Sequence, residues 1–210
     1  MDKDKIKEQR KELFDRLNNE MAEQYIPAIY RDKDETGIDD GILTAYFEEL
    51  GINDEDAVGE FYFTPVLSEE DDVQFFTAVI TLTEDVDESK LPVLYEGLSY
   101  LNFYLPLGAF SISDDHNCII YKYPISLPID IEGEDLYNIV EGVIATTLTT
   151  IDNNIDLVLG LSYGSRSIED VKELIDGFKE IVPKALADDF NPFVDFNFED
   201  EDDDTEEDDN

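Results

Sequence analysis

The stretch VQFFTAVITLT, residues 73–83, runs through eleven positions without a charged side chain and is filled mainly with β-branched and aromatic residues. Such a run is predicted to be a strand. Side chains alternate across a strand, so Phe76, Ala78, Ile80 and Leu82 share one face and Phe75, Thr77, Val79 and Thr81 the other. Both faces carry apolar groups. A sheet covered on one side only would alternate more cleanly, so the second face is expected to be covered too, by further helices of the chain or by a partner.

The neighbouring segments complete a mixed architecture. EFYFTPVLS, residues 60–68, precedes the run across an acidic turn, SEEDD, and the two are predicted to pair as an antiparallel hairpin. SKLPVLYEGLSYL follows with helical spacing of Leu91, Leu94, Tyr95, Leu98 and Leu101, and Pro92 is tolerated in its first turn. A second hairpin is read in GAFSISDDHNCIIYKYPISLP, with Asp114 to Asn117 as the turn and with Ile119, Tyr121 and Ile125 opposed to Ile120 and Lys122. From Leu136 the positions Val140, Val143, Thr147, Ile151, Ile155 and Val158 predict one long helix, broken at Gly160 and Gly164.

The ends add helices. Ile6, Leu13, Phe14, Leu17, Met21 and Tyr25 form one apolar stripe at helical spacing, and ILTAYFEELG from Ile42 is expected to be a short helix stopped by Gly51. Ser167 is predicted to cap a last helix whose Val171, Leu174, Ile175, Phe178 and Val182 face inward. The end, with Phe190, Phe193, Phe196 and Phe198 ahead of an acidic run from Glu199, lacks the apolar content to fold and is expected to be disordered. The expected organisation is an amphipathic helix over 1–31, an α+β core over 32–160, a helix over 161–190 and an acidic tail over 191–210.

Charge narrows the function classes. With 54 acidic against 14 basic residues and a formal charge of -40, the chain repels nucleic-acid phosphates and anionic membrane surfaces. A lone cysteine, Cys118, excludes an internal disulfide and a multi-cysteine zinc site. No apolar run has the length of a signal peptide or a membrane span, and a cytoplasmic location is expected.

The order helix, hairpin, helix, hairpin, long helix, with LNFYLPLGAFSISDDHNCIIYKYPISLP, resembles the YbjN-like family, which has the fold of the type III secretion chaperones. The residues that carry the resemblance are Leu101, Asn102, Gly108, Phe110, Asp114, Asp115, Leu127 and Pro128, and it spans roughly residues 42–158. It implies an α-β-β-α-β-β-α core, here with additional N- and C-terminal helices and a sheet of about four or five strands. It also implies a protein without enzymatic activity that binds other proteins in a chaperone-like or regulatory role, often as a dimer. No catalytic residue and no cofactor come with it.

A few short motifs hint at other chemistry. DKDETGIDDGIL, residues 32–43, offers Asp32, Asp34, Thr36 and Gly37 in the order of an EF-hand loop, but Asp39 stands at the apolar eighth position and Leu43 at the bidentate twelfth. An acidic turn is expected, with a weak calcium site as the alternative. His116 and Cys118 lie close enough to suggest an activated thiolate, yet they flank a hairpin turn, so no catalytic residue is assigned. GLSYGSRS lacks the Lys of a Walker motif. A DNA-mimicking acidic surface is a further alternative, opposed by the concentration of charge in the tail and turns. The expected role is protein binding through apolar surface near Tyr62, Phe75 and Ile120, to a partner that is another protein or a second copy, while the stripe of Leu13, Leu17 and Met21 covers the second sheet face.

Overall fold

The structure, a computed structural model, describes residues 3–64, 72–83, 86–113 and 118–179. In chain order these form α1 (Lys3–Glu23), β1 (Ala28–Arg31), α2 (Lys33–Thr36), β2 (Ile42–Leu50), β3 (Glu55–Phe63) and β4 (Val73–Thr83), then α3 (Leu91–Tyr104), β5 (Ala109–Ser113), β6 (Cys118–Pro128), α4 (Gly133–Asp152), α5 (Ile155–Tyr163) and α6 (Ile168–Lys179). The class is α+β. All six strands form one antiparallel sheet in the order β1-β2-β3-β4-β6-β5.

β4 is interior, as its two apolar faces require. Phe76, Ala78 and Ile80 are fully buried and stand opposite Phe63, Phe61 and Gly59 on β3, and opposite Ile125, Tyr123 and Tyr121 on β6. A Cβ at Gly59 would lie 2.7 Å from the Phe47 ring and 3.0 Å from Ile80, so only glycine lets these side chains close over β3. Pro124 lies inside β6 without breaking the sheet. It pairs with Thr77 of β4, whereas β5 pairs with β6 only up to Lys122, so the missing N–H faces an open edge.

Both expected hairpins form, β3 with β4 and β5 with β6. Several expectations are corrected. Residues 42–50, read as a helix, are strand β2, because Leu43, Ala45 and Phe47 alternate inward and pair with Phe61, Gly59 and Ala57. The same residues also fit a helical spacing, and pairing with β3 decides between the two periods. With β1 added, the sheet has six strands rather than four or five. β3 starts at Glu55, earlier than expected, since Asp56 and Gly59 conceal its alternation. The long helix expected from Leu136 to Val158 is two helices. Asn153 and Asn154 donate side-chain hydrogen bonds to the carbonyls of Thr149 and Thr150 at 2.8 and 2.7 Å, which ends α4, and Gly160 lies inside α5 rather than breaking it.

The helices build one layer against one sheet face. On α1, Ile6, Leu13, Phe14, Leu17 and Met21 are buried, with the Phe14 ring 5.6 Å from Tyr30 and 5.7 Å from Phe63. Burying a side chain such as Phe14 is worth roughly 2–3 kcal/mol relative to exposure. Tyr25, expected on the stripe, is exposed beyond the end of α1 at φ 62°. α4 contributes Leu136, Val140, Val143, Ile144 and Ile151 to the same core, and α3, α5 and α6 contribute Leu94, Leu98, Val158, Leu161, Val171 and Ile175. Leu174, expected to face inward on α6, is exposed. The turn residues Asp114 to Asn117, Val182 and the Phe-containing acidic tail lie outside the described residues, as does the side chain of Phe178.

The segment that carries the family resemblance has a visible structural use. The Asn102 side chain accepts from the Phe110 amide and donates to its carbonyl, both at 2.8 Å, clamping α3 to the start of β5. Tyr121 donates to the Leu107 carbonyl at 2.7 Å, and Gly108, at φ 64°, leaves space for the Tyr121 ring that a Cβ would fill.

Ser167 caps α6 as expected. Its hydroxyl accepts from the Asp170 amide at 3.3 Å while the Asp170 carboxylate accepts from the Ser167 amide at 2.6 Å, a reciprocal box. The Ser167 amide and hydroxyl hold the Asp170 carboxyl below its ordinary value of 3.8. A lowered folded pKa means that the contact stabilises above the unfolded value and is lost as pH falls through the folded one. In a pH titration by NMR, the Ser167 amide resonance is expected to shift with a midpoint below 3.8; a midpoint at or above it would show that the box does not form.

Candidate protein-binding face

Every sheet residue in the hydrophobic core belongs to the face that carries Phe61, Phe76, Ile80 and Tyr121, and all the helical core residues pack against it. The opposite face is therefore not covered by any described helix. The expectation that Leu13, Leu17 and Met21 cover it is corrected: α1 has an apolar stripe only wide enough for one surface and spends it beside α4. What remains open is built by strand register alone. One row runs Tyr46, Val58, Thr81, Ile120, Ser111 from β2 to β5, and the next runs Ile29, Thr44, Glu60, Val79, Lys122, Ala109 from β1 to β5. Farther along, Tyr62, Thr77 and Pro124 align, then Phe75 with Ser126, then Val73 with Pro128.

This face is apolar in the middle of an acidic molecule. Phe75 is 46% exposed, Val73 48%, Val58 38% and Tyr46 37%, and Ile29 stands out at the β1 edge. Thr77 is buried under its cross-strand neighbours Tyr62 and Pro124, and Tyr62 is half-buried enough that loss of solvent raises its phenol pKa. The charges on it nearly cancel. Arg31 lies 3.6 Å from Glu60 and donates to the Thr44 hydroxyl at 2.8 Å, Asp56 accepts from the Tyr46 hydroxyl at 2.7 Å, Glu48 is exposed two residues beyond Tyr46, and Lys122 has no carboxylate partner among the described residues. A chain of formal charge -40 thus keeps one surface close to neutral.

The structure places Tyr62, Phe75 and Ile120 all on this face, although not as one cluster. Tyr62 pairs with Thr77 and lies diagonal to Phe75, whereas Ile120 pairs with Thr81, about 20 Å from Phe75 at 3.3 Å per residue. Val79 and Val58 connect the two ends. Sequence reasoning placed Val79 on the face but missed Tyr46, because residues 42–50 were read as a helix.

The remaining candidates resolve into structural roles. In the acidic loop, Asp32 caps α2 by accepting from the Asp34 amide at 2.9 Å, Gly37 takes φ 75°, and Asp39 pairs with Lys33. Asp40 turns inward and pairs with Arg10, both side chains almost fully buried. Arg10 also donates to Gln74 at 3.0 Å and stacks 4.5 Å over the Phe63 ring, a charged member of the α1 stripe whose only sequence signal is its position four residues after Ile6. Burial pulls the guanidinium down from its ordinary range while Asp40 opposes the shift. With Asp32, Asp39 and Asp40 engaged in this way, calorimetric titration of calcium into chelator-treated protein is expected to show nothing tighter than about millimolar; a saturable micromolar event removed by Asp32→Ala would contradict that. Cys118 is buried at the start of β6 and His116 lies outside the described residues.

Among the described residues, no group of three or more His, Cys, Asp or Glu side chains is placed to hold a metal ion, and no helix is long and apolar enough to cross a membrane. No protein-family model matches the chain, and no curated protein matches it.

Proposed function

We propose that this chain is a non-enzymatic protein-binding module, chaperone-like or regulatory, whose contact surface is the open sheet face. The observation that carries the reading is the exposure of Tyr46, Val58, Val73 and Phe75 on strands whose other side is fully packed. Large apolar groups kept in water on a rigid sheet lower the cost of binding, because few side chains have to be ordered. Near-neutrality of this face removes the like-charge barrier that the rest of the surface presents. From β3 onward the order hairpin, helix, hairpin, helix, together with the Asn102 clamp, supports the YbjN-like, chaperone-like resemblance, while β2 stands where that resemblance put the first helix of the core.

A photo-crosslinking residue at Phe75, compared with one at the exposed Glu169 on α6, tests the reading in native extract. Protein adducts are expected from position 75 and not from 169, and they should disappear when Val79→Asp is added. Equal labelling from both positions, or none from 75, would overturn it.

A further inference from the structure

We propose that the open face takes a second copy of this chain, the two sheets packing face to face about a two-fold axis that runs along β4. The proposal rests on the reading of this face as a protein-contact surface and names its occupant. Two identical sheets packed face to face have two simple in-plane axes, one along the central strand and one across it. The side chains decide between them.

Along β4, the axis exchanges β3 with β6. Glu60 of each copy then meets Lys122 of the other, because both occupy the row centred on Val79. In the next row Val58 meets Ile120, and on the other side Tyr62 meets Pro124, while Val79 and Phe75 meet their own counterparts on the axis. Across β4, the same row would set Glu60 against Glu60 and Lys122 against Lys122, at a sheet separation of about 10 Å where like charges are costly. An extended Glu and an extended Lys span that distance. The relative rotation of about 30° common to aligned sheets moves the edge strands and leaves the central rows in register. Lys122, without a carboxylate partner in its own chain among the described residues, obtains one in the pair.

Size and charge set the strength. Four inter-strand spacings of about 4.8 Å and eight residue steps along β4 of about 3.4 Å give a patch of about 500 Å² on each copy. The total of about 1,000 Å² is near the lower bound of specific interfaces, so association in the micromolar range is expected. Each copy carries a formal charge of -40, and added salt screens that general repulsion more than it weakens two partly desolvated ion pairs. Salt is therefore expected to strengthen the dimer.

Sedimentation of the full chain, from low micromolar to several hundred micromolar at low and at half-molar salt, tests this. The mass is expected to rise from one chain to two, more readily at high salt. Glu60→Lys and Lys122→Glu should each weaken association by about tenfold or more, since the axis duplicates every like-charge meeting. The double variant should restore it, with melting midpoints near that of the parent showing that all the variants fold. A double variant that folds and does not regain association overturns the two-fold. A chain that stays monomeric while position 75 still crosslinks a different protein overturns the second copy and leaves the contact-surface reading standing; a monomer without such adducts overturns both.

Discussion

Leu17→Asp is expected to remove a large part of the stability of the fold instead of releasing a partner. Leu17 is 3% exposed and sits in the same cluster as Phe14, Phe63 and Phe76, so the new carboxylate would be buried with nothing to pair it. Burying an uncompensated charge costs about 3–5 kcal/mol, against a total stability of about 5–15 kcal/mol for an ordinary domain. Urea melts followed by circular dichroism should show the midpoint falling sharply. A variant that melts like the parent would mean that α1 does not belong to this core.

Breaking the Arg10–Asp40 pair should cost nearly as much, for a different reason. Asp40→Ala leaves a guanidinium buried between Gln74 and the Phe63 ring with no counter-charge, and removing one partner of a buried pair costs about 3–5 kcal/mol. Replacing both, as Arg10→Met with Asp40→Leu, should recover most of that loss, because a buried ion pair gains little over well-packed apolar groups once desolvation is included. A double-mutant cycle measures the coupling directly. If Asp40→Ala moved the urea midpoint no more than a surface change does, the pair would not be what ties the loop after α2 to α1.

These two cases also show how far the sequence could be read. The α1 stripe was legible through Ile6, Leu13, Phe14, Leu17 and Met21 because helical spacing repeats over several turns. Arg10 was not, since a charged residue at a stripe position is read as surface unless its counter-charge is known, and Asp40 is concealed among Asp32, Asp34 and Asp39. β4 and β6 were legible because alternation over eleven residues admits one period. β2 is shorter: Leu43, Tyr46, Phe47 and Leu50 fit the helical period, Leu43, Ala45 and Phe47 fit the strand period, and pairing with β3 selects the second. That the second sheet face needed attention was written in Phe75 and Val79. Which side α1 would choose was not, because an apolar stripe specifies that a surface is covered and leaves open which one.

The strand order also governs how the chain emerges during synthesis. β1 to β4 pair with sequence neighbours and can form as soon as they leave the ribosome, but β4 finds its other neighbour only in β6, after α3 and β5 have been made. α4, which packs against β4 and β6 from the helical side, ends at Asp152, whereas β4 ends at Thr83. At about 5–20 residues per second, the interval between those two points is on the order of ten seconds. Until β6 is complete at Pro128 the β4 edge is unpaired, and until α4 follows the nascent sheet shows apolar residues on both faces, the condition in which growing chains recruit chaperones or stick to one another. An abundance of acidic residues in the loops already synthesised gives neighbouring nascent chains a mutual repulsion during that exposure.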